Sequence, residues 1–316
     1  MNNAIKRLLA LLLVLALLPF AALGEGYRMP VADDALDAAE GLDPNVINIL
    51  LIGTDTRLDE DPAGRADTMM VCSLNKTNGV VRITSLQRDS WVTIGDNGHQ
   101  NKLNAAHTFG GPNLLMQTIN REFGLNITKY VAVNFYGICD IVDALGGVTI
   151  QLEDDEAGTI NHTVEAKYGK VRPEWIPDDA TEATLCGSQA LAYARIRKLD
   201  SDFGRTARQR KLLYAMAQRL TECSIPELIK TATTCFSFVK TNIGLMDAIN
   251  LATAVLKVGI KDIAMQAAPA EDEIRYDRSA GVSKLIYTRS RSRRRSTISS
   301  ITETERRKGG VAVPSF

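Results

Sequence analysis

The chain has 316 residues, 45% of them hydrophobic and 23% charged, which is enough to bury a real core and near the upper size of one domain. Its 37 basic and 37 acidic residues cancel, so no whole-chain field gathers nucleic acid or an anionic membrane. Any preference for an anion must be local.

The N-terminus carries the first regional signal. Lys6 and Arg7 precede an apolar run from Leu8 to Leu23, and Ala21, Ala22 and Gly24 close it. Residues 1–24 therefore read as a Sec-type signal peptide, with an uncleaved signal anchor as the alternative, because the run is short and Pro19 interrupts it. Both readings export the remainder. Residues 25–43 read as a linker, 44–286 as one folded unit without internal repeats, and 287–316 as a basic tail. The tail, rich in Arg and Ser, is too poor in apolar residues to offset its ordering entropy, so disorder is expected. Cys72, Cys139, Cys186, Cys223 and Cys235 form neither a disulfide scaffold nor a CxxC zinc pair, although Cys223 and Cys235 could bridge in an exported protein. His99, His107 and His162 lack ligand spacing and are expected in core or surface roles.

The folded unit opens with Asn45 to Ile52, an Ile- and Leu-rich run without helical period that ends at Gly53 and predicts a buried strand. Asp55 and Arg57 fall just past its end. A loop with Pro and Gly leads to a second strand, Thr68 to Leu74, with Arg65 and Asp67 just before it. The Asn78-Gly79 pair predicts a hairpin into a third strand, which delivers Arg88 and Asp89 back to the same edge. Asp55 and Asp67 with Arg65 and Arg88 thus gather on one rim. Paired oxygen ligands with open positions suit Mg²⁺, and the planar fork of Arg matches phosphate oxygens.

Further on, Gly110-Gly111-Pro112 suits a helix start, and Asp143 to Val148 suits a helix stop with Gly146 just past the end. In "ALAYARIRK" the alternation of Tyr193, Arg195 and Arg197 predicts a strand with all three on one face. From Thr206 the period changes. Leu212, Leu213, Met216 and Leu220 predict an amphipathic helix, with Arg205 and Gln209 on another face and Asp202 just ahead as a capping or Arg-orienting residue. The stripe in "GLMDAINLATAVLKVG" reads as core or groove wall.

These residues resemble the LytR-CpsA-Psr family of cell-wall glycopolymer ligases. The resemblance rests on "GTDTR", "RADTMMV", "SLQRDSWV", "NKLNAAHTFGG", "DALGGV", "GSQALAYARIR" and "DFGRTARQRKLL", in order and at compatible spacing. It implies an α/β fold, a mixed central β-sheet flanked by helices in a single domain, with an apolar groove for a lipid tail. It also implies that Asp55 and Asp67 hold Mg²⁺, and that Arg65, Arg88, Arg195, Arg197 and Arg205 surround a polyprenyl diphosphate head group. Asp202 and Gln209 would share that polar site. The implied reaction moves a glycopolymer with one phosphate from the lipid carrier to a peptidoglycan hydroxyl at the membrane surface, without nucleic acid. Hydrolysis of the polyprenyl diphosphate and a non-enzymatic envelope regulator are the alternatives. One departure stands out: Gln87 occupies a position where the family has Pro.

Overall fold

The structure, a computed structural model, describes residues 36–54, 64–168, 174–197, 199–224, 227, 231, 239–277 and 284–287. Asp55, Cys235, the N-terminal segment and residues 288–316 of the expected tail lie outside the described residues; Tyr287, expected to open that tail, instead ends a paired strand, Lys284–Tyr287.

The Ile- and Leu-rich opening run forms β1 (Val46–Thr54), which pairs antiparallel with β2 (Ala66–Asn75). Gly79, at a φ of +74°, supplies the left-handed turn that returns the chain as β3 (Val80–Leu86). A small hairpin follows, β4 (Trp91–Ile94) with β5 (His99–Lys102). Next come α1 (Ala105–Phe123), β6 (Lys129–Asn134), α2 (Phe135–Ala144) and β7 (Val148–Gln151). Gly110 and Gly111 interrupt α1, and Pro112 restarts it. Gly146 donates to Asp143 O and Gly147 to Val142 O, both at 3.0 Å, so the expected stop of α2 is a Schellman cap.

The second half contains α3 (Glu156–Tyr168), β8 (Glu182–Leu185), α4 (Gly187–Ala194), α5 (Asp202–Glu222), β9 (Val239–Thr241) and α6 (Leu245–Val258). It ends with β10 (Asp262–Ala268), β11 (Ile274–Asp277) and β12 (Lys284–Tyr287).

Six strands form one mixed sheet in the order β10-β3-β2-β1-β6-β9. The pairings make β1, β3, β6 and β10 run one way and β2 and β9 the other. Thr54, Leu86, Asn134 and Ala268 therefore end on one edge, where β2 begins. One core lies between α1 and Leu50, Ile52, Met69 and Val71 of the sheet; a second joins α2 to α5 with β7 and β8. Asn48, a polar residue within β1, is buried but satisfied, since it accepts from Ser73 Oγ at 2.6 Å and donates to Asn126 Oδ1 at 2.7 Å.

Two expectations change. The strand foreseen across Tyr193 to Arg197 is instead α4, ending at Ala194 with Arg195 as its cap. An alternation three residues deep cannot outweigh an Ala- and Leu-rich stretch that opens on a capping box, in which Gln189 accepts from the Cys186 N–H at 3.0 Å. Tyr193 is consequently buried, while Arg195 and Arg197 are exposed. The domain also begins earlier than residue 44: Leu36 is buried in the α1 core, and Ala39 N–H donates to Leu125 O at 2.8 Å.

Candidate functional site

The carboxyl edge of the sheet is where open α/β sheets place ligands. Here β1 and β2 lose register between Gly53 and Thr54: Gly53 faces Thr68 while Thr54 faces Ala66. Asp67 is the extra residue of that β-bulge, a device that re-aims a side chain at a sheet edge. Its Oδ1 accepts from Arg88 Nη1 at 2.6 Å. Arg88, two residues past β3, also reaches Asp202 Oδ1 at 3.6 Å.

Asp202 is the first residue of α5 rather than a residue ahead of it. It takes Arg205 Nη2 at 2.8 and 2.9 Å on its two oxygens. Arg205 is 1% exposed, and its Nε and Nη1 have no partner among the described residues. Burial pushes its guanidinium down to about 10; Asp202 works against that, and the cations of Arg88 and Arg197 work with it. Gln209, one turn later, is buried with its Oε1 unpartnered among the described residues, and its Nε2 donates to Ala194 O at a long 3.4 Å. Arg88 Nε is similarly buried and unpartnered, apart from Asp89 at 4.0 Å.

The loop between α4 and α5 brings Arg197 back to the bulge. Its Nη2 lies 3.7 Å from Asp67 Oδ2, with the side chain 52% exposed. Asp200 folds over the first turn of α5, where a Cβ on Gly204 would come within 1.9 Å of Asp200 Oδ2; only glycine admits that approach. Asp200 then receives Arg208 bidentately at 2.7 and 3.1 Å, and Arg208 Nε donates to the buried Glu156 at 2.5 Å. Sequence reasoning missed this Glu156–Arg208–Asp200 brace. The RxxR spacing from Arg205 to Arg208 was visible, but the partner on α3 lies 52 residues away. It also left Lys102 out of the site, although Lys102 donates to Asp89 at 2.8 Å.

Arg65 stands exposed two residues before Asp67, and Arg195 is exposed at the end of α4. Gln87 is buried with both side-chain amide atoms unpartnered among the described residues, and its backbone N–H donates to Ala268 O at 3.3 Å, which ties the ends of β3 and β10. His107 is a core histidine whose Nδ1–H donates to Gly64 O at 2.6 Å, fixing the approach to β2.

Whether this rim suits Mg²⁺ can be judged from its donors. No group of three His, Cys, Asp or Glu among the described residues makes an all-protein cage. Mg²⁺ does not need one, because one or two carboxylates, waters and substrate phosphates complete it. The Asp67 carboxylate has spare acceptor capacity on Oδ2, met among the described residues by Arg197 at 3.7 Å, and so fits one ligand of such an ion.

A mixed sheet with buried, unpartnered guanidinium nitrogens at its carboxyl edge defines an α/β protein that offers cationic donors to an anion. Comparison with known proteins narrows the class. The LytR_cpsA_psr family profile matches residues 30–296, and the chain belongs to that family. It is 32% identical over 273 residues to the polyisoprenyl-teichoic acid–peptidoglycan teichoic acid transferase TagV of Bacillus subtilis (strain 168), covering 79% of this chain and 67% of that protein. The transferase TagU of Bacillus mycoides (strain KBAB4) is 37% identical over 175 residues, 55% of this chain and 52% of its own length. The chain thus spans about half of TagU. Among solved structures, TagT bound to LIIa-WTA superimposes with a TM-score of 0.64 at 23% identity, covering 88% of this chain and 95% of TagT. TagT with bound octaprenyl pyrophosphate gives 0.61 at 21% identity, with the same coverage. These structures establish the shared fold. No helix among the described residues is long and apolar enough to cross a membrane.

Proposed function

We propose that the protein is a cell-envelope phosphotransferase that moves a teichoic-acid-type glycopolymer, with one phosphate, from a polyprenyl diphosphate carrier to a peptidoglycan hydroxyl. Arg205 carries this reading: a cation 1% exposed, with two unpartnered nitrogens, is costly unless an anion arrives to meet it. A diphosphate supplies that anion, and the names of TagV and TagU supply the class of reaction. The carrier's tail takes an apolar groove in this reading, and the chain works at the outer membrane surface after export.

Each residue then has a task. Arg88 and Arg205 present fork donors to the diphosphate oxygens, oriented by Asp67 and Asp202. Arg197, Arg195 and Arg65 extend the cationic wall on the exposed side. Gln209 holds the buried end of the site beside Arg205. As the sugar hydroxyl attacks phosphorus and the bridging oxygen departs, negative charge grows on the leaving polyprenyl phosphate. Prepositioned guanidiniums lower the cost of that charge, which is the larger part of phosphoryl-transfer catalysis. Mg²⁺, held by Asp67 and Asp55, would neutralise further phosphate charge when bound.

The test is transfer from a synthetic polyprenyl-diphosphate sugar to peptidoglycan fragments, with Arg88→Ala alongside. Product that depends on the acceptor and disappears in Arg88→Ala is the expected result. Release of polyprenyl phosphate at the same rate without acceptor would identify a hydrolase.

A further inference from the structure

A second group of side chains stands at the carboxyl edge and has no task in holding the diphosphate. β10 ends there at Ala268, turns through Glu271–Glu273 and continues as β11. β11 pairs with β12, whose Leu285 N–H donates to Asp89 O at 3.0 Å and bridges Ser90. Tyr276 is the register partner of Leu285 and so stands one strand away from Asp89, the residue that follows Arg88. The carboxylates of Asp202, Asp89 and Glu271 all act on the Tyr276 hydroxyl; burial, and then these charges, keep it protonated.

The strand pair is held firmly. Lys284 Nζ lies 4.4 Å from the centre of the Trp91 ring, Tyr287 stacks on Phe123 at 6.3 Å, and the Tyr287 hydroxyl donates to Glu122. Tyr276 itself is 46% exposed. Strand β11, paired with the anchored β12, therefore displays a half-exposed aromatic ring near the reacting edge.

Arg65, Arg88, Arg195, Arg197 and Arg205 gather along one stretch of the edge. Next to them stand Asp89, which takes Lys102 at 2.8 Å and keeps an oxygen 4.0 Å from Arg88 Nε, and beyond it Glu271 and Tyr276. Carboxylates repel a second phosphate-bearing chain but accept hydrogen bonds from hydroxyls, and the electron-rich ring face attracts the polarised C–H face of a pyranose. That chemistry selects a neutral, hydroxyl-rich sugar.

We propose that the paired strands β11 and β12 form the acceptor subsite, with the Tyr276 ring stacking on a pyranose of the acceptor glycan and Asp89 accepting a hydrogen bond from one of its hydroxyls. The inference rests on the transferase reading above. It places the acceptor next to the diphosphate arginines, with Asp89 4.0 Å from Arg88 Nε.

Two measurements on the full chain, Tyr276→Ala and Tyr276→Phe keep the subsite and the transferase reading separable. In the first, chitotetraose binding is followed by ligand-observed NMR without donor. Wild type and Tyr276→Phe should bind alike and Tyr276→Ala about tenfold more weakly, the loss of one ring contact. In the second, acceptor KM and donor KM are measured separately in the transfer assay. Tyr276→Ala should raise acceptor KM about tenfold and leave donor KM and octaprenyl-diphosphate affinity unchanged. Chitotetraose binding that is absent from wild type or undiminished in Tyr276→Ala overturns the subsite, as does an equal rise in both KM values. If no variant transfers while chitotetraose binding still depends on the ring, the transferase reading fails and the sugar subsite stands.

Discussion

Asp67, the extra residue of the bulge between β1 and β2, accepts Arg88 Nη1 at 2.6 Å across the mouth of the hairpin that joins β2 to β3. This pair ties the start of one strand to the end of the next. Arg88 then reaches Asp202 at 3.6 Å, which couples both strands to the first turn of α5. A carboxylate in the regular ladder would point by the strand's alternation; the bulge releases it toward the edge.

Arg205→Met should abolish donor binding while leaving the ligand-free protein as stable or more stable. Met removes the desolvation cost of a buried cation with surplus donors, and Asp202, one-fifth exposed and 3.6 Å from Arg88, keeps a cationic neighbour when Arg205 is gone. Arg205→Lys should lose about 10²–10³-fold in transfer, because an ammonium cannot reproduce the fork. Thermal unfolding with and without octaprenyl diphosphate checks the pair. A ligand-free Tm that falls as far as for a core deletion would assign Arg205 to the fold instead.

Chelation of divalent ions should suppress transfer, and added Mg²⁺ should restore it. Asp67→Asn should raise the Mg²⁺ concentration needed for half-maximal rate, since one charged ligand becomes a neutral one. Titration of rate against free Mg²⁺ decides this. An identical titration curve for the variant would remove Asp67 from the ion.

Arg208→Ala should cost about 3–5 kcal/mol of stability, because Glu156, 1% exposed, would lose its partner within the core. Converting the pair together, as Arg208→Met with Glu156→Gln, should recover most of that loss. Urea unfolding of both variants gives the comparison. Asp200 also loses its bidentate partner in each, so the Arg197 loop loosens and donor affinity drops even where stability returns.

Stability should decline as pH falls below about 6.5, in part through His107. Burial holds its folded pKa below the ordinary value, outweighing the bond to Gly64 O that favours the charged form. The unfolded chain therefore binds more protons between that depressed value and 6.5, and folding weakens on acidification across this window. His107→Gln should flatten the slope. Tm measured from pH 7.5 to 5 in wild type and variant is the check, and parallel curves would absolve His107.

The β2–β3 hairpin, the stop of α2 and the restart of α1 at Pro112 were legible in the sequence because each rests on residues close together along the chain. Gly79 takes the left-handed position at the end of the β2–β3 loop, Gly146 supplies the left-handed cap, and Pro112 fits a first helical turn wherever it lies. The gathering of Asp67 and Arg88 could also be foreseen, since a hairpin carries its two ends to one edge. Tyr193 to Arg197 was misread as a strand because a few alternating residues fit both periods; the Cys186–Gln189 cap and burial of Tyr193 against the second core settled it as helix.

By itself, then, the sequence determined the local elements, the family motifs and the inventory of charges at the edge. Only the tertiary structure decided how those charges divide. It paired Arg88 with Asp67, closed Arg208 onto Glu156 and Asp200, left Arg205 buried with two nitrogens unpartnered, and set Tyr276 beside Asp89. The reason is physical: whether a guanidinium is braced or awaits an anion depends on desolvation and on partners tens of residues away, and neither is written in the neighbouring sequence.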